Sequence, residues 1–436
     1  MRRVDWLRIA AASRPGAPAL VTPDRTVTYA ELDRAADAVA SIVTGSGLAA
    51  GVVAFWGERD PATVAAIWGI PRAGATAVPV DARIAPADAM RLPGDAGARG
   101  LWALPDGGID ALLGLSSGAA EAAGGMPGAA RFVVFTSGSE GRRKGVVLTG
   151  GNVAASVAAS AERLGNSPDD PWLGVLPLFH VGGLAGLWRQ AAAAAPVILE
   201  PSFDAVRCAR LLSGTAFASV VPTMLMRMLD AGARGGDRLR GVLVGGGPAD
   251  PALLHRALDA GIPALQTYGL TETCSQVCTV APGDAERDLG TAGRPLSGAA
   301  VAIGGDGRIR VRGPMVSSGY LGEEPRSDEW FVTGDLGSID ADDRLTVLGR
   351  ADAVIVTGGE NVHPALVERS LRTVPGVVDA RVFGEPDPEW GSRVVAEVVL
   401  AGTTVVAAAA AARRLLRPAE VPRRWVSVES LPVKLS

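Results

Sequence analysis

Apolar residues between Thr28 and Ile42 recur at three- and four-residue spacing, and Thr28-Tyr29-Ala30-Glu31 at the start has the form of a capping box, so this segment predicts a helix. Val52 to Trp56 and Thr76 to Val80 are short apolar runs and predict buried strands, with a helix over 61–72 between them, a βαβ unit. Residues 97–130 are rich in Gly, Ala and Pro and carry little periodicity. A strand follows over 132–135, then a Gly/Ser loop over 136–145, a strand over 146–148 and a helix from Asn152. From 172 to 268 the alternation continues: strands over 173–176, 196–199, 217–221, 241–244 and 264–266, helices over 184–194, 204–213, 223–231 and 251–260. Such alternation predicts a largely parallel, doubly wound sheet whose ligands sit at the carboxyl ends of its strands.

Residues 290–350 change character, with short strands at 301–303, 308–312, 331–332 and 345–348 separated by Gly turns, which predicts a small β-subdomain. After Arg350 the order becomes strand, helix 364–373, strand 377–384, strand 393–400, helix 405–416. The expected class is α/β: a large domain over 1–350 of doubly wound sheets plus the β-subdomain, then a small mobile α+β domain over 351–436.

Composition narrows the class. At 48% hydrophobic and 20% charged, the 436 residues are ordinary globular stock, and the net charge of −4 gives no support to nucleic-acid binding through bulk charge. Cys208, Cys274 and Cys278 are too few for a disulfide framework, and no matching Cys or His pair gives Cys274 and Cys278 a metal set. Asp5, Arg8 and Arg14 interrupt the apolar run after Met1-Arg2-Arg3, against a signal peptide. No run approaches the ~20 apolar residues of a membrane span. A cytoplasmic protein without membrane insertion is expected; its oligomeric state stays open, a homo-oligomer included. Of the 42 basic residues 40 are Arg, and only Lys144 and Lys434 are Lys. A compact ammonium on a flexible stem does work that a planar guanidinium cannot, so each Lys invites a chemical question.

Lys144 lies in Phe135-Thr136-Ser137-Gly138-Ser139-Glu140-Gly141-Arg142-Arg143-Lys144-Gly145. Hydroxyls, small residues and backbone N–H groups can wrap a polyphosphate, and the Lys can neutralise its terminal charge. No Gly-Lys-Ser/Thr is present, which disfavours a P-loop NTPase; a flexible linker would share the same composition. Gln266-Thr267-Tyr268-Gly269-Leu270-Thr271-Glu272-Thr273 follows a strand. Tyr268 offers a face for stacking a base, Thr271 a hydroxyl for a phosphate, and Glu272 a carboxylate for Mg2+. A polar strand-to-loop exit reads the same way. Thr333-Gly334-Asp335-Leu336-Gly337 and Gly349-Arg350-Ala351-Asp352 place an Asp and an Arg where they could grip a ribose, or form a type I turn and a surface ion pair.

Taken together, and in this order, these segments resemble the adenylate-forming superfamily of acyl-CoA synthetases, peptide-synthetase adenylation domains and luciferases, over nearly the whole chain. Leu176-Pro177-Leu178-Phe179-His180-Val181-Gly182-Gly183, Gly245-Gly246-Gly247-Pro248 and Gly358-Gly359-Glu360-Asn361-Val362 agree. Within it, Asp5-Trp6-Leu7 and Tyr268-Gly-Leu-Thr-Glu-Thr-Cys-Ser-Gln276 look closest to the o-succinylbenzoate–CoA ligases of menaquinone synthesis. Other acyl- or aryl-CoA ligases, carrier-loading adenylation enzymes and a weakly catalytic nucleotide-binding member are the alternatives.

The resemblance implies an AMP-forming ligase using ATP, Mg2+ and coenzyme A on a small-molecule carboxylate. It implies that Thr136 to Lys144 hold the β- and γ-phosphates, Gly245–Pro248 with Gln266–Tyr268 the adenine, Thr271 the α-phosphate, Glu272 the Mg2+, and Asp335 with Arg350 the ribose. Asp352 becomes the hinge, and Gly358, Gly359 and Asn361 line the pantetheine tunnel with Trp390-Gly391 near its mouth. His180, by itself as well read as a structural His, becomes a wall of the acyl pocket or a gate to the tunnel. The second carboxylate of o-succinylbenzoate calls for a cation, with Arg227 the first candidate and Arg189 the second.

Two departures stand out. Arg143 takes the place of the Pro usual before the phosphate-loop Lys. Leu431-Pro432-Val433-Lys434-Leu435-Ser436 begins the family's C-terminal signature and stops four positions before its adenylation Lys, so the role does not pass to Lys434. Whether the chain is cut short or a natural variant, this implies adenylation slowed by roughly a hundred- to a thousand-fold.

Overall fold

The computed structural model describes residues 4–49, 51–83, 101–102, 108–115, 130–136 and 144–431. The chain divides into two compact units: Met1–Ala300 with Val311–Phe331, and Val301–Arg310 with Val332–Ser436. Contact density thus groups most of the small β-sheet with the C-terminal segment.

The first unit carries two sheets. In the larger, Ala264–Leu270, Gly241–Val244, Phe217–Val220, Trp172–Gly174, Val197–Leu199 and Pro18–Val21 run parallel in that order. Antiparallel strands, Ser275–Thr279 on one side and Thr26–Thr28 on the other, flank this parallel block. In the smaller, Leu101–Trp102, Val52–Trp56, Thr76–Val80 and Ala130–Thr136 are parallel, and Lys144–Thr149 closes a hairpin against the last. The helices between them start where side chains satisfy the free N–H groups. Thr28 and Glu31 form the expected capping box of Tyr29–Gly45, and Thr149 and Asn152 form another at Gly150–Leu164. Asp60 accepts from two N–H groups of Pro61–Arg72. That helix ends on Arg72, whose largely covered side chain is bonded to Asp5 at 2.7 Å, Asp33 at 2.5 Å and Asp37 at 2.9 Å. It crosses Tyr29–Gly45 at Gly69, where a Cβ would lie 2.4 Å from the Ala36 carbonyl oxygen.

The second unit has a four-stranded sheet, Ala300–Ile303, Arg308–Arg312, Phe331–Ile339 and Leu345–Arg350. Its other sheet is built on the long hairpin Val377–Asp387 and Gly391–Leu400. Helices Pro364–Arg372 and Val405–Ala412 bury Val367, Leu371, Ala408 and Ala412 against that hairpin's Val382, Val394 and Val398.

The expected α/β architecture is observed, with three local corrections. The last helix stops at Ala412 instead of 416. The strand expected at 264–266 runs to Leu270, so the Gln266–Leu270 stretch is ladder and not loop. The strand expected at 331–332 is Phe331–Ile339, which carries Thr333–Gly337 inside it; no type I turn forms there. At Gly337 the chain packs closely: a Cβ would approach the Ile309 side chain at 2.8 Å and the Thr346 carbonyl oxygen at 3.0 Å. Among the described residues no helix is long and apolar enough to cross a membrane.

Candidate active site

Parallel pairing in register sets the ends of Phe217–Val220, Gly241–Val244 and Ala264–Leu270 side by side, the position where doubly wound sheets hold ligands. Gly245 follows the middle strand, and a Cβ on it would come 2.8 Å from the Thr267 methyl. Gly246 turns the chain with φ +75°, and Gly246, Gly247 and Pro248 stand open to solvent. Gln266 accepts the Gly290 N–H through its side-chain oxygen at 2.9 Å, and the Thr267 hydroxyl donates to the Cys278 carbonyl at 3.0 Å. Tyr268 is buried at 7% exposure, which leaves little of its ring for a base to cover.

The strand then folds back on itself. Gly269 lies so close to the returning chain that a Cβ would sit 1.9 Å from the Ser275 carbonyl oxygen. The turn Thr271–Thr273 is fixed by the buried Thr273 hydroxyl, which accepts the Leu270 N–H at 2.8 Å. Cys274 and Ser275 follow at φ 52° and 95°, strained for residues with a Cβ and characteristic of functional turns. Thr271 and Glu272 are thereby held half-buried at the strand end.

Lys144 opens the closing strand of the smaller sheet, directly opposite Thr136, and this strand packs beside the Thr271–Thr273 turn. The Thr136 hydroxyl reaches the Lys144 carbonyl at 3.4 Å. The expected phosphate-loop residues Ser137, Gly138, Ser139 and Gly141 lie between these two and outside the described residues, as does Lys434. The Lys144 side chain is exposed, with its ammonium 5.0 Å from the centre of the Tyr320 ring. The Tyr320 hydroxyl in turn donates to Glu272 Oε1 at 2.9 Å. Burial and the neighbouring Glu272 push this phenol well above its ordinary pKa, so it remains a donor. Tyr320 is missing from the sequence-based site; its one signal was rarity, as one of three Tyr in the chain.

Among the described residues no cluster of three His, Cys, Asp or Glu could cage a metal. A lone half-buried carboxylate beside a lysine fits instead an Mg2+ that is held mostly by nucleotide phosphates.

The two candidate cations for a second carboxylate differ sharply. Arg227 is exposed on helix Pro222–Asp230. Arg189, on helix Val181–Ala193, is 3% exposed, and burial lowers its guanidinium to about 10. It donates to the Ser275 hydroxyl at 3.2 Å and lies 5.5 Å from the Trp172 ring centre, while its buried Nε has no hydrogen-bond partner. Cys274 nearby is a neutral thiol, pushed up to about 12 by burial. His180 precedes the same helix without capping it through its side chain, and lies half-buried against Phe179 with ring centroids 4.5 Å apart.

In the second unit, Asp335 and Arg350 are cross-strand neighbours, with 3.8 Å between Oδ1 and Nη1. The guanidinium lies over Gly334 and grips Asp352 through two bonds of 3.1 and 2.9 Å, which hold the Asp352 carboxyl below the usual range. Asp352 lies within this unit. Gly358 and Gly359, at φ 56° and 82°, form the tip of the hairpin Ile355–Thr357 to Glu360–Val362, and Asn361 is exposed beside it. A Cβ on Gly358 would come 2.7 Å from Trp390, and the Arg423 guanidinium lies 3.8 Å from that ring's centre.

Fold and site together define an enzyme class that activates substrates with a nucleotide, and the chain belongs to the AMP-binding enzyme family. That family's model matches residues 7–119 and 110–321, and the AMP-binding enzyme C-terminal domain matches 366–436. Among relatives, the 2-succinylbenzoate–CoA ligase of Bacillus mycoides (strain KBAB4) is 38% identical over 322 residues, spanning 70% of this chain and 67% of that protein. Among solved structures, o-succinylbenzoate CoA synthetase from Bacillus subtilis in complex with its acyl-adenylate intermediate aligns with a TM-score of 0.88 at 30% identity, covering 98% of this chain and 95% of that one. The same enzyme in complex with ATP and magnesium ion aligns with a TM-score of 0.87 at 30% identity, covering 98% and 96%. The superfamily expected from the motifs is borne out.

Proposed function

We propose that the chain is an ATP-dependent, AMP-forming acid–CoA ligase that converts o-succinylbenzoate to o-succinylbenzoyl-CoA in menaquinone synthesis. The observation that carries this reading is the convergence of Lys144, Thr271 and Glu272 at the strand ends, with likeness to o-succinylbenzoate CoA synthetase as its support. A cytoplasmic setting suits the three free cysteines.

The chemistry follows from charge. An oxygen of the substrate carboxylate attacks the α-phosphorus of ATP, and pyrophosphate leaves. Lys144 and the loop before it counter the charge growing on pyrophosphate, and the Thr271 hydroxyl donates to an α-phosphate oxygen. Mg2+, held by Glu272 and the phosphates, supplies charge neutralisation and orients the leaving group. Asp335 accepts from ribose hydroxyls, with Arg350 beside it, and the Gly246–Pro248 turn with Gln266, Thr267, Tyr268 and Gly269 borders the adenine. The CoA thiol then attacks the acyl carbonyl and AMP leaves, with Gly358, Gly359 and Asn361 along the pantetheine path, His180 at the acyl pocket and Asp352 as hinge. Arg189 is the better candidate for the second substrate carboxylate, since a buried cation lacking an acidic partner gains most from one.

The test is product analysis by mass spectrometry after incubation with ATP, Mg2+, CoA and o-succinylbenzoate. The thioester and AMP should both form, and only with all four present. Pyrophosphate and acyl-adenylate without thioester would indicate a carrier-loading enzyme; none of these products would indicate a nucleotide-binding protein only.

A further inference from the structure

The segment from Gly313 to Leu321 is tied to the site on both sides. The Asn152 side-chain amide, at the start of helix Gly150–Leu164, donates to the Pro314 and Val316 carbonyls at 2.9 and 2.8 Å. The Ser317 N–H donates to the Glu272 backbone carbonyl at 2.7 Å, which fixes this segment against the turn that carries Glu272. Further on, the Leu321 N–H donates to the Gly145 carbonyl at 2.7 Å, and Val147 N–H to Gly319 at 3.1 Å, around a bridge that pairs Tyr320 with Val146. These bonds flank Lys144 by one to three residues. The backbone therefore delivers one side chain, Tyr320, between two groups that come from different sheets. Its ring underlies the Lys144 ammonium at 5.0 Å, and its hydroxyl occupies one lobe of Glu272 at 2.9 Å.

A carboxylate that accepts one fixed hydrogen bond has fewer orientations and presents its other oxygen in a set direction. A flexible lysine over an aromatic face is likewise confined without losing its charge. Glu272 is only half-buried, so the Tyr320 hydroxyl bond is what narrows its orientation. We infer that Tyr320 is a positioning residue that sets Glu272 for the divalent ion and Lys144 for the polyphosphate, so that metal and nucleotide bind as one unit. This rests on the proposed ATP-dependent function of the same site. The two halves of the residue separate cleanly: the hydroxyl serves the metal side and the ring serves the lysine side.

The experiment uses Tyr320→Phe and Tyr320→Leu in the full chain, with Mn2+ as probe. Mn2+ affinity is read by electron paramagnetic resonance in the presence of a non-hydrolysable ATP analogue, alongside Mg2+-dependent pyrophosphate release and thermal melting. Tyr320→Phe should weaken Mn2+ about tenfold, the lower end of what loss of an outer-shell partner costs, and raise the Mg2+ needed for half-maximal rate in parallel. Its KM for ATP at saturating Mg2+ should stay within about twofold, because the ring under Lys144 remains. Tyr320→Leu should weaken Mn2+ equally and raise the KM for ATP as well. A role confined to packing would lower the melting temperature and leave Mn2+ affinity where it was. Mn2+ affinity of Tyr320→Phe within about twofold of the unaltered chain overturns the inference. Absence of both ATP-dependent Mn2+ binding and pyrophosphate release in the unaltered chain would overturn the functional reading first and the inference with it.

Discussion

Arg189→Met should separate substrate recognition from folding. Without substrate, Arg189 is 3% exposed, bonded to the Ser275 hydroxyl and set beside Trp172, with Nε unpartnered. The favourable side is one charged hydrogen bond, about 1.5–3 kcal/mol, and a desolvated cation–π contact of about 2 kcal/mol. Against this stand several kcal/mol for burying the guanidinium, roughly, and ~1–3 kcal/mol for its unsatisfied Nε. These nearly cancel, so a methionine of similar length should leave stability within about 1 kcal/mol of the native value or raise it. With a second substrate carboxylate in place, losing one partner of a buried charge pair costs about 2–5 kcal/mol. At ~1.4 kcal/mol per tenfold this is roughly 30-fold to 4,000-fold in kcat/KM for o-succinylbenzoate. Benzoate, which lacks that carboxylate, should be turned over as before. The assay is pyrophosphate release with each acid, beside urea unfolding. An equal loss on both substrates, or none on either, would refute the assignment of Arg189 to the second carboxylate.

Two further substitutions probe charge elsewhere. Lys144→Ala should slow pyrophosphate release by about 10²–10³, and Lys144→Arg should restore only part of that, because a planar fork cannot follow a moving phosphate as a point charge does. Arg72→Met leaves Asp5, Asp33 and Asp37 with only the half-exposed Arg8 as a cationic neighbour and should cost up to about 3–5 kcal/mol in urea unfolding at neutral pH. Burial alone would raise the Asp5 carboxyl, but its bonds to Arg72 outweigh this and hold it below its ordinary value. The native protein therefore keeps this contribution above about pH 4, near the unfolded value, and loses it as pH falls through the folded one. The gap between variant and native protein should narrow on acidification; a gap that widens would contradict the network's role.

What the sequence disclosed and what it hid have distinct physical causes. Local chemistry was legible where it is short-range: Thr28 with Glu31 announces a capping box within four residues, and the box forms. The Gln266–Glu272 stretch was equally readable as a site, but its extension as strand to Leu270 depends on the pairing with Ser275–Thr279, which no local pattern reveals. Asp335 opposite Arg350 was foreseen as a pair, whereas the strand around it was hidden by Gly334 and Gly337, which read as turn residues in the sequence. The sequence alone cannot tell Arg189 from Arg227 among 40 arginines, because the burial that separates them is a property of the fold. Tyr320 was not read from the sequence because its partner Glu272 lies 48 residues away, across several intervening strands, and only the fold brings the two together.

Substrate-dependent pyrophosphate release, compared across o-succinylbenzoate, benzoate and a fatty acid with ATP and Mg2+ held constant, tests the central claim most directly. The account predicts that o-succinylbenzoate gives the highest kcat/KM, and that Arg189→Met removes that preference. A preference for benzoate or the fatty acid would contradict the substrate assignment, and release independent of any added acid would contradict the ligase reading itself.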